Sequence, residues 1–172
     1  MNDNYQQDPN NYWEQLERLE KLIRAAELKA GIIFSFHTII FGIFIDRIDD
    51  FREVINESIA FIILVSLWIL SVFVSIFYCF KCIIPQIETK YDKNVFFFKD
   101  AAHAYGTIKE YSKKLMDVCK NHDELFAQLS EQIHIESKIV DRKFENIHKS
   151  IKFFVLSIIL VALIILFYFI RS

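Results

Sequence analysis

Cys79 and Cys82 stand three apart in CFKC, the spacing used by redox dithiols and zinc knuckles. Each chemistry needs more than the pair: a zinc site requires two further ligands, and a thioredoxin-like dithiol requires a βαβ setting. Neither accompanies them, so the two cysteines read as small packing residues in an apolar run. Asp100 and His103 share a helix face in DAAH, and His134 lies close to Glu136, but no second cluster completes a metal site. They read as surface polar pairs. His37 differs, because an ionisable ring inside an apolar run is a functional candidate by default. Pore lining or gating stands there against packing of a neutral imidazole.

Phosphate chemistry has little to rest on. Gly31, Gly42 and Gly106 are isolated, and neither GxxxxGK[ST] nor GxGxxG occurs. There is no nucleophile elbow and no supported carboxylate pair, so an enzyme is not expected. The stretch IKEYSKKL, with Lys113 and Lys114, can meet anionic lipid or a ligand phosphate, although its interspersed acids also suit a solvated helix face.

The elements that would position these groups are helices. The chain has 172 residues, 53% hydrophobic and 24% charged, so apolar and charged residues must be segregated along it. Three Gly and two Pro supply little turn chemistry, which favours long helices over a many-stranded sheet. A net charge of −2 does not point to nucleic acid. Three scattered cysteines, Cys79, Cys82 and Cys119, do not make a disulfide framework and fit a reducing compartment.

Roughly 20 apolar residues cross a hydrocarbon core about 30 Å thick. Three runs qualify: residues 30–45, short and interrupted by Ser35, His37 and Thr38; residues 59–84, charged only at Lys81; and residues 153–170, free of charge. The expected fold is therefore an all-α membrane protein, with a helical bundle or stalk continuous with the first and third spans. No cleavable leader is expected in residues 1–29, which mix acids and bases without a short apolar stretch. Lys and Arg number four in residues 1–29, two in the 46–58 loop, thirteen in residues 81–152 and one in the tail. The positive-inside rule then puts the N-terminal helix (1–29) and the 85–152 region in the cytoplasm, and the loop and C-terminus outside.

Helical spacing links Tyr12, Leu16, Leu19, Ile23, Ala26 and Ala30, so one helix is expected to begin in water and enter the first span unbroken. Glu27 and Lys29 then sit at the crossing point, either anchored among headgroups or paired with charges of neighbouring helices. Pro85 should end or kink the second span, and QIETKYDKN reads as a polar connection. A helix is expected over Val95–Cys119, with Phe98, Ala102, Tyr105, Ile108, Tyr111 or Ser112, and Leu115 on one face. Asn121 or Asp123 should cap a last helix carrying Leu125, Leu129, Ile133, Val140, Phe144, Ile147 and Ile151 into the third span.

Several of these stretches, in this order, resemble the transmembrane effectors of bacterial Pycsar antiphage systems. WEQLERLEKLIRAAELKAGIIF is similar to that family's N-terminal helix, whose A-D-x-K-A element runs into the first span; Glu27 replaces the aspartate and Lys29-Ala30 are kept. IIPQIETKYDKNVFFFKDAAHAY resembles the segment after the second span, with Phe97 and Phe98 matching a Phe-Phe-Gly-like helix start and Lys99 in the glycine's place. DELFAQLSEQIHIESKIVDRKFENI resembles the element with a Gln-Ile pair and a downstream Lys-aromatic pair, here Gln132-Ile133 and Lys143-Phe144.

The resemblance implies an effector in the bacterial inner membrane that responds to cCMP or cUMP from a partner cyclase and impairs that membrane, so that the infected cell dies before phage spread. Messenger binding is then expected between residues 10–29 and 94–150 or at an oligomer contact. Lys143, Lys29 or Lys113 and Lys114 would meet phosphate, and Tyr105, Tyr111, Phe97 or Phe98 would meet the base. Glu27 and His37 are the gating candidates. No cofactor is expected beyond that ligand. Homo-oligomerisation is expected, because three spans can hardly enclose an aqueous path while satisfying their polar groups. An ungated holin-like toxin and a membrane-anchored coiled-coil scaffold are the alternatives.

Overall fold

A computed structural model describes residues 8–51, 58–85 and 92–171. Within them the chain is all-α: α1 (Pro9–Asp46), α2 (Ile59–Ile83), α3 (Phe98–His103), α4 (Ile108–Lys120) and α5 (His122–Arg171). Helices α1, α2 and α5 are long and apolar enough to cross a membrane. Residues 52–57 of the expected 46–58 loop and most of the QIETKYDKN connection lie outside the described residues.

Local chemistry sets the helix ends. Ser58 caps α2 by accepting from the Phe61 amide at 3.4 Å. Ile84 leaves helical geometry (φ −55°, ψ 128°) because it precedes Pro85, whose ring disfavours α backbone in the residue before it. Asn121 Oδ1 accepts from the Glu124 amide at the start of α5, as its position suggested.

The helix expected over Val95–Cys119 is instead two helices. Gly106 has a φ of +72°, a left-handed conformation that favours glycine. Thr107 then forms a capping box with Glu110: the hydroxyl accepts from the Glu110 amide, and the carboxylate accepts from the Thr107 amide at 2.7 Å. The expected apolar face is therefore broken, and Phe98 and Ile108 are exposed.

The chain divides into two units. The first comprises residues 1–23 and 85–141, and the second residues 24–84 and 142–172. In the first, Leu16, Leu19, Val95, Val118, Leu129 and Ile135 form the buried apolar positions. Tyr12 packs on Phe126 at 5.1 Å, and Trp13 meets Phe96 edge-on at 5.3 Å. Asn94 pins the irregular stretch before α3 to α5. Its Nδ2 donates to the Gln128 carbonyl (2.8 Å) and to Glu131 Oε2 (3.0 Å), and its Oδ1 accepts from the Phe96 amide (2.9 Å). The Val95 amide donates to Gln128 Oε1 and the Val95 carbonyl accepts from Tyr111.

The second unit is a three-helix bundle with two differently built ends. One packs small residues: Ala26, Ala30, Cys79 and Cys82 with Ile33 and Ile147, flanked by Phe144 and Phe154. The other is aromatic, with Phe61 and Trp68 buried among Phe41, Phe44, Phe51, Phe167 and Tyr168. Large apolar side chains such as Ile43, Leu70, Phe73 and Leu166 face outward. The buried line of α5 within this unit runs through Lys143, Ser150, Ser157 and Ile164, seven residues apart, with Ile147 beside it. Of the apolar face expected for α5 as a whole, Leu129 and Ile147 are buried, whereas Ile151 is exposed.

Candidate functional site

The bundle interior holds the polar side chains that an apolar exterior would exclude. Ser75 and Ser150 are fully buried opposite each other on α2 and α5. Each hydroxyl donates to the other residue's carbonyl at 3.0 Å, and the two hydroxyls lie 3.1 Å apart. Cys79 Sγ sits 3.0 Å from Ser150 Oγ. Reciprocal bonding of this kind requires close backbones, which only small side chains at the crossing permit. Ser71 and Ser157 satisfy themselves by donating to carbonyls of their own helices.

Lys143 is 2% exposed. Its ammonium donates to Glu27 Oε1 at 2.8 Å and to the Cys82 carbonyl, which joins all three helices of the bundle at one point. An ammonium can remain buried only when paired and hydrogen-bonded, and both conditions are met here. The fully buried Ala26 and Ala30 flank Glu27 in sequence and provide the close approach of helices. Lys29 is exposed, with its Nζ 5.9 Å from the Phe144 ring centroid. His37 is buried, meets Phe154 edge-on at 5.1 Å, and has an Nε2 with no hydrogen-bond partner. Glu27, Lys29, His37 and Lys143 thus belong to the second unit.

The other residues singled out from sequence belong to the first. Tyr105 and Tyr111 pack at 5.9 Å, with the Tyr105 hydroxyl buried and unpartnered; burial, then the charge of Asp100, pushes that phenol up. Lys114 donates to Glu124 at 2.8 Å, and that bond raises its pKa. Lys113 is exposed, and Phe97 packs on Phe98 at 5.0 Å. Tyr105, Tyr111 and Lys114 therefore form one neighbourhood.

Two features escaped the reading of the residues. One is Asn94, whose partners lie more than 30 positions away along the chain. The other is a cavity of about 290 Å³ lined by Trp13, Leu16, Glu17, Glu20, Phe96, Gln132 and Glu136, wholly within the first unit. Gln132 Nε2 donates to Glu136 Oε1 at 3.1 Å, while Gln132 Oε1 is buried with no donor. Burial, offset in part by that bond and reinforced by Glu20, raises the Glu136 carboxyl above the usual range.

Fold and site together define an all-α membrane protein whose potential spans enclose a hydrogen-bonded, ion-paired interior. Residues 11–170 match the family model of the Pycsar effector protein domain. The chain belongs to that family of antiphage effectors, as the order of its motifs suggested. No curated protein matches the chain. No solved structure matches it either.

Proposed function

We propose that this chain is the membrane-impairing, non-enzymatic effector of a cyclic-nucleotide antiphage circuit. A partner cyclase supplies cCMP or cUMP on infection. The helices of residues 8–23 and 92–141, on the cytoplasmic side of the inner membrane, sense it, and a homo-oligomer of the bundle then opens the bilayer. The C-terminus faces outward.

The Lys143–Glu27–Cys82 junction carries this reading. A buried ammonium held by one carboxylate and one carbonyl favours the closed packing only while those partners stay in place; once they separate, hydration of Lys143 and Glu27 stabilises the alternative. The same movement would admit water to the serines and His37. Helices α1 and α5 supply residues to both units, and a continuous helix transmits rotation where a loop does not.

The test is membrane depolarisation in cells expressing the protein at low level, with and without a cyclase that makes cCMP or cUMP. Depolarisation only with the cyclase supports the proposal. Depolarisation in both arms identifies an ungated toxin, and none in either favours a scaffold. Glu27→Gln weakens the junction and should depolarise cells without the cyclase.

A further inference from the structure

The cavity of the first unit is acceptor-rich. Its polar lining consists of three carboxylates, Glu17, Glu20 and Glu136, and the amide of Gln132. Glu17 is answered by Lys21 at 2.7 Å, one turn along α1. The Gln132 Nε2 group is directed at Glu136. What remains is Gln132 Oε1, an acceptor on a residue 8% exposed, facing no donor. A buried carbonyl without a donor is costly, and such groups recur where a ligand supplies the missing bond.

The walls are aromatic. Trp13 is 45% exposed, so its indole offers a face to a planar ring, with Phe96 set edge-on beside it. Indole stacking suits any heteroaromatic ring, so discrimination falls to the ring's polar edge. That edge must donate to Gln132 Oε1 and meet the Glu136 carboxyl. An exocyclic amine does both: one of its N–H groups donates to Gln132 Oε1 and the other to a Glu136 oxygen. A phosphate, by contrast, is repelled by the three carboxylates and must project out of the cavity.

We propose that the Trp13–Phe96–Gln132–Glu136 cavity binds the base of a nucleotide through an amine-bearing edge, as in cytosine or adenine, with the phosphate outside. The inference deepens the messenger reading above and rests on it. It assigns recognition to residues outside the Tyr105–Tyr111–Lys114 neighbourhood.

The experiment uses full-length protein in nanodiscs carrying Trp68→Phe, which leaves Trp13 as the sole tryptophan, titrated with cyclic CMP, cyclic UMP and cyclic AMP. Saturable quenching by cyclic CMP or cyclic AMP, with cyclic UMP about tenfold weaker, is expected because uracil brings a single N3–H to two acceptors and sets a carbonyl oxygen against the other. Cyclic CMP against cyclic AMP separates a pyrimidine from a purine. Gln132→Met should weaken binding of the amine-bearing nucleotide about tenfold and abolish the preference over cyclic UMP, without lowering the thermal midpoint. Equal binding of all three nucleotides, or an unchanged affinity and preference in Gln132→Met, overturns the assignment. If cyclase-dependent depolarisation persists in Gln132→Met with unaltered sensitivity, this cavity is not the sensor although the messenger reading stands. No binding in the parent protein together with no cyclase-dependent depolarisation overturns both.

Discussion

Lys143 in the second unit and Gln132 in the first are both polar residues on the buried side of α5, 2% and 8% exposed. The ammonium of Lys143 is met by Glu27 and the Cys82 carbonyl, whereas the side-chain carbonyl of Gln132 meets no donor. In the bundle, Lys143 holds three helices and Ser150 holds two. In the first unit, Asn94 plays that contact role and Gln132 does not. Polar groups that complete one another serve the fold, and one left incomplete beside an aromatic cavity is free to serve a ligand.

Breaking the satisfied side of this contrast should have the largest effect. Lys143→Ala leaves Glu27 and the Cys82 carbonyl without their shared donor and should cost about 2–3 kcal/mol, the low end for a broken buried pair because Glu27 is partly exposed. The thermal midpoint of detergent-solubilised protein checks this. Lys143→Met combined with Glu27→Gln should recover part of the loss, since no charge is then stranded. Asn94→Ala should cost about 2 kcal/mol through its lost bonds to Gln128, Glu131 and the Phe96 amide, seen as faster amide exchange at residues 94–97. Ser150→Ala should cost about 1 kcal/mol, as interhelical hydroxyl bonds do in membranes. Ser150→Leu should cost more, by forcing apart the crossing with Ser75 and Cys79.

The contrast also explains what the residues alone disclosed. The three spans were legible because length and hydropathy decide them without reference to tertiary contacts. So was the face of α1, where Leu16, Leu19, Ala26 and Ala30 are buried as their spacing implied. The residues left Glu27 open between headgroup anchoring and a charge partner on a neighbouring helix; the structure places Lys143 against it. The break at Gly106 was written in T-x-x-E but was overridden by an apolar periodicity that runs across it. Lys143 and Ser150 lay on the buried line of α5 while an apolar count favoured Ile151. Their burial depends on Glu27, Ser75 and Cys82, more than 60 positions away, and no local pattern encodes that pairing. The same holds for Gln132, whose significance comes from Trp13 and Phe96 on other segments.

Gly106→Ala tests the break itself. A Cβ there would collide with Glu110 Oε2, so the carboxylate must leave the Thr107 capping box, and the backbone is strained besides. The expected cost is about 1 kcal/mol, confined to amide exchange in α4.

The smallest effect sharpens the comparison from the incomplete side. Burial disfavours the charged form of Glu136, and the facing Glu20 adds to this, so its folded pKa stands above its unfolded value. A carboxyl raised on folding holds its proton more tightly in the folded state. Its favourable contribution is therefore full below the unfolded pKa and is lost as pH rises through the folded one. Glu136→Gln cannot ionise. The difference in thermal midpoint between the variant and the parent should be small at pH 4 and should move in favour of the variant as pH rises towards neutrality. Comparing the two proteins cancels the titrating groups that do not interact with Glu136. A flat difference for Glu136→Gln would mean that the carboxyl is hydrated in the folded chain, and that the cavity is wetter than its aromatic walls imply.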